Sequence, residues 1–514
     1  MGTYILRRLL LMIPTVIGLT LLVFLLIAMS PGGIGAALNV ASGGQMDSGT
    51  SKAQQQAYLE DRYGLDDPVL VQYVRWLGRV SPVKFGQRDQ IAPTGEVVRP
   101  PKALKTPPRA DIISTTTPSV DPPDPVVFDE SMTQADKTRA YRLASQHYTR
   151  LRADSIRTRT IYLETLGRAL RAIDEDKYVE RTGTMETDAP TRIVQRAIDE
   201  SGMEDEIRTA LGNAMSAYAA AERARLELKA VFDAKPFREA GYPIIPGALS
   251  VAAPDLGMSF SRGRPVTALI ADALPVTLLL NFIAIPIIYL IAVPSGMLAA
   301  THRGSAFDVL SGGLYVALWS VPIVWACVLM LGYLANNQSG LGAFPVTGLH
   351  SIEAQDMTWL PSWNAEGHFV RGYILDTLWH LCLPVAALVY TGFAVLSKQT
   401  RAAMLDNFNA DYVRTAKAKG VPARDIVLRH VFRNSLLPII TMFVSIFPAM
   451  LAGSVVVEKV FSVPGMGSLV IEAIFLRDRE VLLANAFIIG VVNMLALLLA
   501  DVLYALADPR ISYD

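Results

Sequence analysis

The chain has 514 residues, of which 51% are hydrophobic and only 18% charged, with a mean hydropathy of +0.33. A soluble chain usually carries about a quarter charged residues, so part of this one uses lipid as its solvent. Lysine plus arginine and aspartate plus glutamate balance at 47 each, which gives no basic excess for a nucleic-acid partner. The two cysteines, Cys327 and Cys382, lie in apolar runs without metal-ligand spacing, and they exclude a disulfide framework.

A bilayer core about 30 Å thick needs roughly 20 apolar helical residues. In chain order, six stretches meet that length: Leu9–Met29, Val276–Ala300, Val309–Leu334, Leu375–Leu396, Leu436–Val457 and Val481–Ala507. The fourth is the weakest, because His380 and Pro384 interrupt it. Pro14, Pro286, Pro294, Pro322 and Pro448 also fall inside spans, where neighbouring helices can satisfy the carbonyls that proline frees. Arg7 and Arg8 precede the first run as in a signal peptide. The run is too long for one, and Pro31-Gly32-Gly33 is a poor cleavage context, so it reads as a retained helix.

Six spans put both termini on one side, and the basic residues choose it. With the termini inside, inner segments hold Arg7, Arg8, Arg303, Lys398, Arg401, the run from Arg414 to Arg433, and Arg510; short outer loops hold only Arg371, Lys459, Arg477 and Arg479. The expected topology is therefore both termini cytoplasmic, with the long segment between the first two spans outside. Ionisable residues in or beside spans (Asp272, Asp376, Glu458 and Asp501) form no evident proton relay.

The long segment changes character along its length. Residues 52–80 look helical and amphipathic, and residues 91–127 are proline-rich and read as an extended linker without a core. Residues 131–234 are charged and helical. Tyr162, Leu166, Leu170 and Ile173 recur on one helix face, Asp188-Ala189-Pro190 breaks a helix, and Ile193 opens another. The reading is a helical hairpin, with a docking surface for a soluble partner as the alternative. The chain contains no Walker A loop, no His-Glu-x-x-His pair, no Gly-x-Ser-x-Gly elbow and no Gly-x-Gly-x-x-Gly fingerprint. Its histidines are scattered. No catalytic, metal or cofactor site is expected, and the chain is not expected to be an enzyme.

Between the fourth and fifth spans lies Ala410-Asp411-Tyr412-Val413-Arg414-Thr415-Ala416-Lys417-Ala418-Lys419-Gly420-Val421-Pro422, continuing to Pro438. It reads as two short helices with a corner. Gly420 can take the left-handed conformation that ends the first helix, and Pro422 suits the first turn of the second. Ala416 and Ala418 are small enough for another surface to approach the backbone, and cations ring the element. On physics alone this could equally be a basic loop that enforces topology.

The stretch resembles the "EAA" coupling loop of ABC importer permeases in its peptide/nickel form, Tyr-x-Arg-Thr-Ala-x-Ala-Lys-Gly. The general pattern has glutamate where this chain has Arg414, and arginine there is usual in the peptide/nickel branch. Other segments agree with the dipeptide/oligopeptide permease B family: Tyr4-Ile5-Leu6-Arg7-Arg8 with Pro31-Gly32, and Tyr63-Gly64-Leu65-Asp66-Asp67-Pro68 with Gln72-Tyr73 and Trp76-Leu77. So do Asp255-Leu256-Gly257-Met258-Ser259, Phe461-Ser462-Val463-Pro464-Gly465-Met466-Gly467 and the ending Tyr504 to Ile511. The resemblance covers residues 1–80 and 255–514; the departures are an insertion at 82–254 and an exit reading Pro-Gly-Gly rather than Pro-Gly-Asp.

The resemblance implies an all-α integral membrane protein of the type I ABC importer permease fold, in the bacterial cytoplasmic (inner) membrane, with a helical extracytoplasmic insertion. The expected divisions are 1–31 (first helix), 32–81 (family-like outer segment), 82–254 (insertion) and 255–514 (core, with the coupling loop at 398–435). It implies a homologous second permease, ABC ATPase subunits carrying ATP hydrolysis, an extracytoplasmic solute-binding protein, and membrane lipid, with no nucleic acid. The family's solutes are di- and oligopeptides, nickel complexes and some sugars. Tyr412, Arg414, Thr415, Ala416, Lys417, Ala418, Lys419 and Gly420 carry over as the ATPase-coupling residues. Two rival classes are a secondary transporter and a membrane-anchored scaffold.

Overall fold

The computed structural model describes residues 2–29, 64 and 67–507, apart from 94, 96, 114–119, 130, 181–183, 186–188, 260, 336–339, 364–367 and 453. The Pro31-Gly32-Gly33 exit, the expected helical stretch 52–63, Tyr63, Leu65, Asp66, Asp188 and the ending from Asp508 lie outside the described residues. The chain divides into two compact units, residues 42–255 and the remainder.

Helix α1 (Gly2–Ala28) opens the membrane unit and runs through Pro14 without a break. Within the inserted unit, α2 (Val69–Val80) is amphipathic and buries Tyr73, Trp76 and Val80. Helices α3 (Gln134–Ala172) and α5 (Glu204–Asp233) form the expected hairpin, with α4 (Thr191–Glu200) between them. Thr133 and Asp136 form a capping box that starts α3, with Thr133 Oγ1 accepting from the Asp136 N–H. Tyr162, Leu166 and Leu170 sit fully buried against Val194, Ile198, Ile207 and Leu211, so the helical periodicity marked the true core face.

Beyond the hairpin, the inserted unit also has two small antiparallel sheets that the sequence reading did not anticipate. Strand β1 (Val83–Phe85) pairs with β6 (Leu249–Val251), which pairs with β5 (Tyr242–Ile245); β2 (Gln90–Ile91) lies between β3 (Val97–Val98) and β4 (Arg238–Glu239). The proline-rich stretch is therefore no free linker. Val98 lies in a core with Phe232 and Phe237, and Gln90 donates to Phe232 O at 2.8 Å while accepting from the Phe237 N–H at 3.1 Å. The two ends of the 82–254 stretch meet as sheet neighbours: Val83 faces Val251, and the Ala252 N–H donates to Pro82 O at 2.9 Å. Because the chain leaves where it enters, deletion of residues 84–251 with a short Gly/Ser bridge is expected to leave a protein that inserts in the membrane at normal abundance. Membrane fractionation checks this, and loss of insertion would contradict it.

In the membrane unit, α6 (Val266–Thr301) is 36 residues long and continuous through Pro275, Pro286 and Pro294. The third expected span is instead broken. Helix α7 (Ala306–Ser320) and helix α8 (Ile323–Met330), extended by a wider turn to Ala335, meet at 89°. The cause is local: Val321 precedes proline and takes an extended conformation (ψ 117°), which the clash with the proline ring favours. Tyr390 Oη donates to the Val321 carbonyl at 3.1 Å, so the break leaves that group satisfied.

The fourth expected span is the opposite case. Helix α9 (Gly372–Phe408) runs unbroken through His380 and Pro384 and buries more of itself than the other spans. His380 Nδ1 donates to Asp376 O at 2.9 Å, so its polar ring is absorbed by its own helix. Helices α6 and α9 pack closely at Gly296, where a Cβ would stand 2.6 Å from Ser397 O. Ser295 Oγ and Ser397 Oγ, 2.9 Å apart, bond across the same contact.

The remaining α-helices of the membrane unit among the described residues are α10 (Asp411–Ala418), α11 (Ala423–Asp425), α12 (Leu436–Ala452), α13 (Val455–Val460), α14 (Met466–Phe475) and α15 (Arg479–Ala507). Among the described residues, four helices are each long and apolar enough to cross a membrane, and the bent pair makes a fifth. Helix α12, a largely apolar helix of 17 residues, occupies the fifth expected position, at the short end of what a bilayer needs.

Candidate coupling site

Helix α10 ends in the manner its glycine implies. Gly420 has φ +74°, the Val421 N–H donates to Ala416 O at 3.2 Å and the Gly420 N–H donates to Lys417 O at 3.0 Å. Those two bonds form a Schellman cap, and Val421 and Ala416 join the same apolar cluster, which seals the turn. Pro422 sits at the N-cap of α11, one position before the place expected for it. The chain then passes through a wider-wound stretch, Ile426–Phe432, before α12.

One face of α10 is turned into the protein. Val413 and Ala416, three apart, are buried with Ala300 at the end of α6, Met404 on α9, and Ile426 and Val431 beyond the corner. Ala416 therefore does not present itself to a partner, contrary to the sequence-based expectation; its small size lets α10 lie close against its own chain. Tyr412, Arg414, Thr415, Lys417, Ala418, Lys419 and Gly420 form the exposed face. Arg414 lies 3.5 Å from Asp411, but both are mostly exposed and the pair contributes little.

Two polar residues the sequence reading passed over hold the corner in place. The Tyr412 hydroxyl donates to Asn407 Oδ1 at 2.6 Å, and Asn407 Nδ2 donates to Ser435 Oγ at 3.1 Å. Ser435, fully buried, also lies 2.9 Å from Val431 O and 3.1 Å from Ala403 O. The end of α9, α10 and the start of α12 are thus tied through one hydrogen-bonded chain. Arg401, nearly two turns before Asn407 on α9, grips Asp308 at the start of α7 with two bonds of 2.5 and 2.8 Å. These contacts tie α10 to the ends of α6 and α9 and to the start of α12, and α9 to α7.

The ionisable residues flagged beside the spans are all partnered. Asp272 pairs with Arg264 at 2.9 Å, and Asp501 on α15 pairs with Arg8 on α1 at 3.3 Å. Asp376 accepts from Ser351 N–H at 2.8 Å and Ser351 Oγ at 3.0 Å. Glu458, fully buried, accepts from Thr277 Oγ1 (3.0 Å), Ser454 N–H (3.2 Å) and Ser468 N–H (3.0 Å). A Cβ at Gly465 would stand 2.5 Å from Glu458 Oε2, and one at Gly467 would stand 2.7 Å from the Val455 backbone nitrogen. The late Phe461 to Gly467 segment is thus a loop closed around one carboxylate. Likewise Ser259, in the Asp-Leu-Gly-Met-Ser segment, donates its hydroxyl to buried Asp478 at 2.5 Å, joined by Ser261 Oγ at 2.9 Å. These roles explain why the quoted segments have the residues they do.

Residues 292–513 match the family described as "Binding-protein-dependent transport system inner membrane component". The inner membrane ABC transporter permease protein YejB of Escherichia coli O157:H7 is 36% identical over 261 residues, 51% of this chain and 68% of its own. The oligopeptide transport system permease protein AppB of Bacillus subtilis is 37% identical over 261 residues, 50% of this chain and 76% of its own. The dipeptide transport system permease protein DppB of Escherichia coli K12 is 30% identical over 273 residues, 50% and 77%. In each case the matched stretch is a larger share of the relative than of this chain, so each relative is the shorter protein. With its apolar helices and the matched core, this chain belongs to the binding-protein-dependent ABC permeases, and it is a multi-pass inner-membrane subunit of such an importer.

Proposed function

We propose that the solute this permease carries is a peptide, and that the exposed face of α10 is its contact with a separate ATPase subunit. The single observation that supports the contact most is the construction of that face. Tyr412, Arg414, Thr415, Lys417, Ala418, Lys419 and Gly420 stand outward on a short helix whose other side is cemented to the ends of α6 and α9. The peptide follows from the relatives, whose names are those of oligopeptide and dipeptide systems. The chain supplies half of the pathway, a homologous second permease the other half, and a soluble binding protein delivers the solute from outside. ATP hydrolysis belongs to partner chains. Both termini and α10 face the cytoplasm, and the inserted unit, residues 82–254, faces outward. Removing this chain from cells is expected to abolish uptake of a radiolabelled di- or tripeptide by its system, with expression of the chain restoring it. Unchanged uptake in a strain without parallel peptide importers would contradict the reading.

A further inference from the structure

The inserted unit contains a half-open cavity of about 760 Å³, within the range that holds a small organic ligand. Its walls are unusually cationic: Arg75, Arg79, Lys84, Arg88, Arg99 and Lys102 all line it, with Asp89 the one carboxylate among the lining residues. Several of them already have carboxylate partners. Asp67 pairs with Arg75 at 2.7 Å and with Lys102 at 2.9 Å, but it also carries Lys105 at 2.9 Å. Burial alone would push the Asp67 carboxyl up, yet bonds from Lys102 and Lys105 hold it below the ordinary range. Arg99 is shared by Asp89 and Asp255, and Arg88 pairs with Glu239. The Lys84 ammonium meets backbone carbonyls, of Gly78 at 2.8 Å and Arg79 at 2.5 Å, and no carboxylate among the described residues.

Two further features suit a ligand with a negative end and an apolar body. Ser250 is 2% exposed, lines the cavity from β6, and its hydroxyl has no partner among the described residues. Val98, Tyr141, Tyr148 and Leu228 also line the cavity. Lys84 itself is half-buried, and burial followed by repulsion from Arg99 lowers its pKa. An incoming anion would offset both effects by favouring the charged ammonium. A flat basic patch would suit an acidic protein surface; a concave site of this volume suits a small molecule.

The geometry points to this cavity as a binding site for a small organic carboxylate, the C-terminal carboxylate of a short peptide, held by Lys84 and Ser250 with its side chains against the aromatic wall. This deepens the peptide reading above and rests on it for the identity of the ligand. The test uses the full chain purified into lipid nanodiscs and a radiolabelled tripeptide, Ala-Ala-Phe, as its free acid and as its C-terminal amide. The acid is expected to bind saturably and the amide at least tenfold more weakly. Lys84→Met, which keeps the apolar stem, is expected to weaken the acid at least tenfold while Lys84→Arg retains it, and Ser250→Ala to weaken it about threefold. No saturable binding of the acid, equal binding of acid and amide, or unchanged binding by Lys84→Met would each overturn the site. Because the acid and amide are compared on the unmodified chain, that discrimination does not depend on any variant folding. Uptake measured in cells tests the transport reading separately, so a pocket that fails leaves it standing.

Discussion

Replacing Gly420 with valine is expected to leave the protein in the membrane at normal abundance while uncoupling it. At φ +74° a β-branched residue is strained by about 1–3 kcal/mol. No atom lies within 4 Å of a Cβ built at Gly420, so the cost is conformational and not a clash. The chain can escape it only by opening the Schellman cap, which frees the last turn of α10 and moves the face carrying Lys417, Ala418 and Lys419. A bias of that size lowers the docked population by about 5- to 150-fold, so peptide-stimulated ATP hydrolysis and uptake should fall together by that order. Gly420→Asn should retain most activity, because asparagine visits the left-handed region. Lys417→Ala removes one charge on a wet surface and should have a much smaller effect. Normal transport by Gly420→Val at normal abundance would reduce α10 to a basic loop that only enforces topology.

Glu458→Ala is expected to act on folding. It takes away the acceptor of the Thr277 hydroxyl, which keeps only the Met466 N–H, and leaves the part-buried N–H groups of Ser454 and Ser468 without their carboxylate, each at about 1–3 kcal/mol when left without a partner. A loss of 3 kcal/mol or more should reduce the level of protein in the membrane severalfold and lower its melting temperature in detergent. Gly465→Ala should give the same defect, since its Cβ would stand 2.5 Å from both Glu458 Oε2 and Thr277 Oγ1. Quantitative immunoblots of membrane fractions check both variants. Normal levels and an unchanged melt for Glu458→Ala would show that the loop does not depend on its carboxylate.

The membrane helices were legible because hydropathy over about 20 residues is a strong signal that neither Pro384 nor His380 could erase from α9. Hydropathy carries no direction, which is why the 89° break at Val321-Pro322 was read through as one span. The hairpin α3/α5 was legible from its 3.6-residue period, whereas strands of two to four residues in β1 to β6 are too short to show alternation. At the coupling element, the cap at Gly420 could be read from the residue type alone. The inward turn of Ala416 could not, because small residues suit both a buried face and a docking face. The tie through Asn407 and Ser435 joins positions 28 apart, and nothing local marks either residue.

The proposed contact between the outward face of α10 and a cytoplasmic ATPase can be read directly by cross-linking. In a chain with Cys327 and Cys382 replaced by serine, Ala418→Cys and Ala416→Cys place single thiols on the exposed and buried faces of that helix. A maleimide–benzophenone cross-linker, attached to the thiol and photolysed in inside-out membrane vesicles, should join Ala418→Cys to an ATP-binding polypeptide and leave Ala416→Cys unjoined. Labelling of Ala418→Cys by a membrane-impermeant maleimide added outside intact cells, with no cross-link to an ATP-binding chain, would contradict both the contact and the orientation.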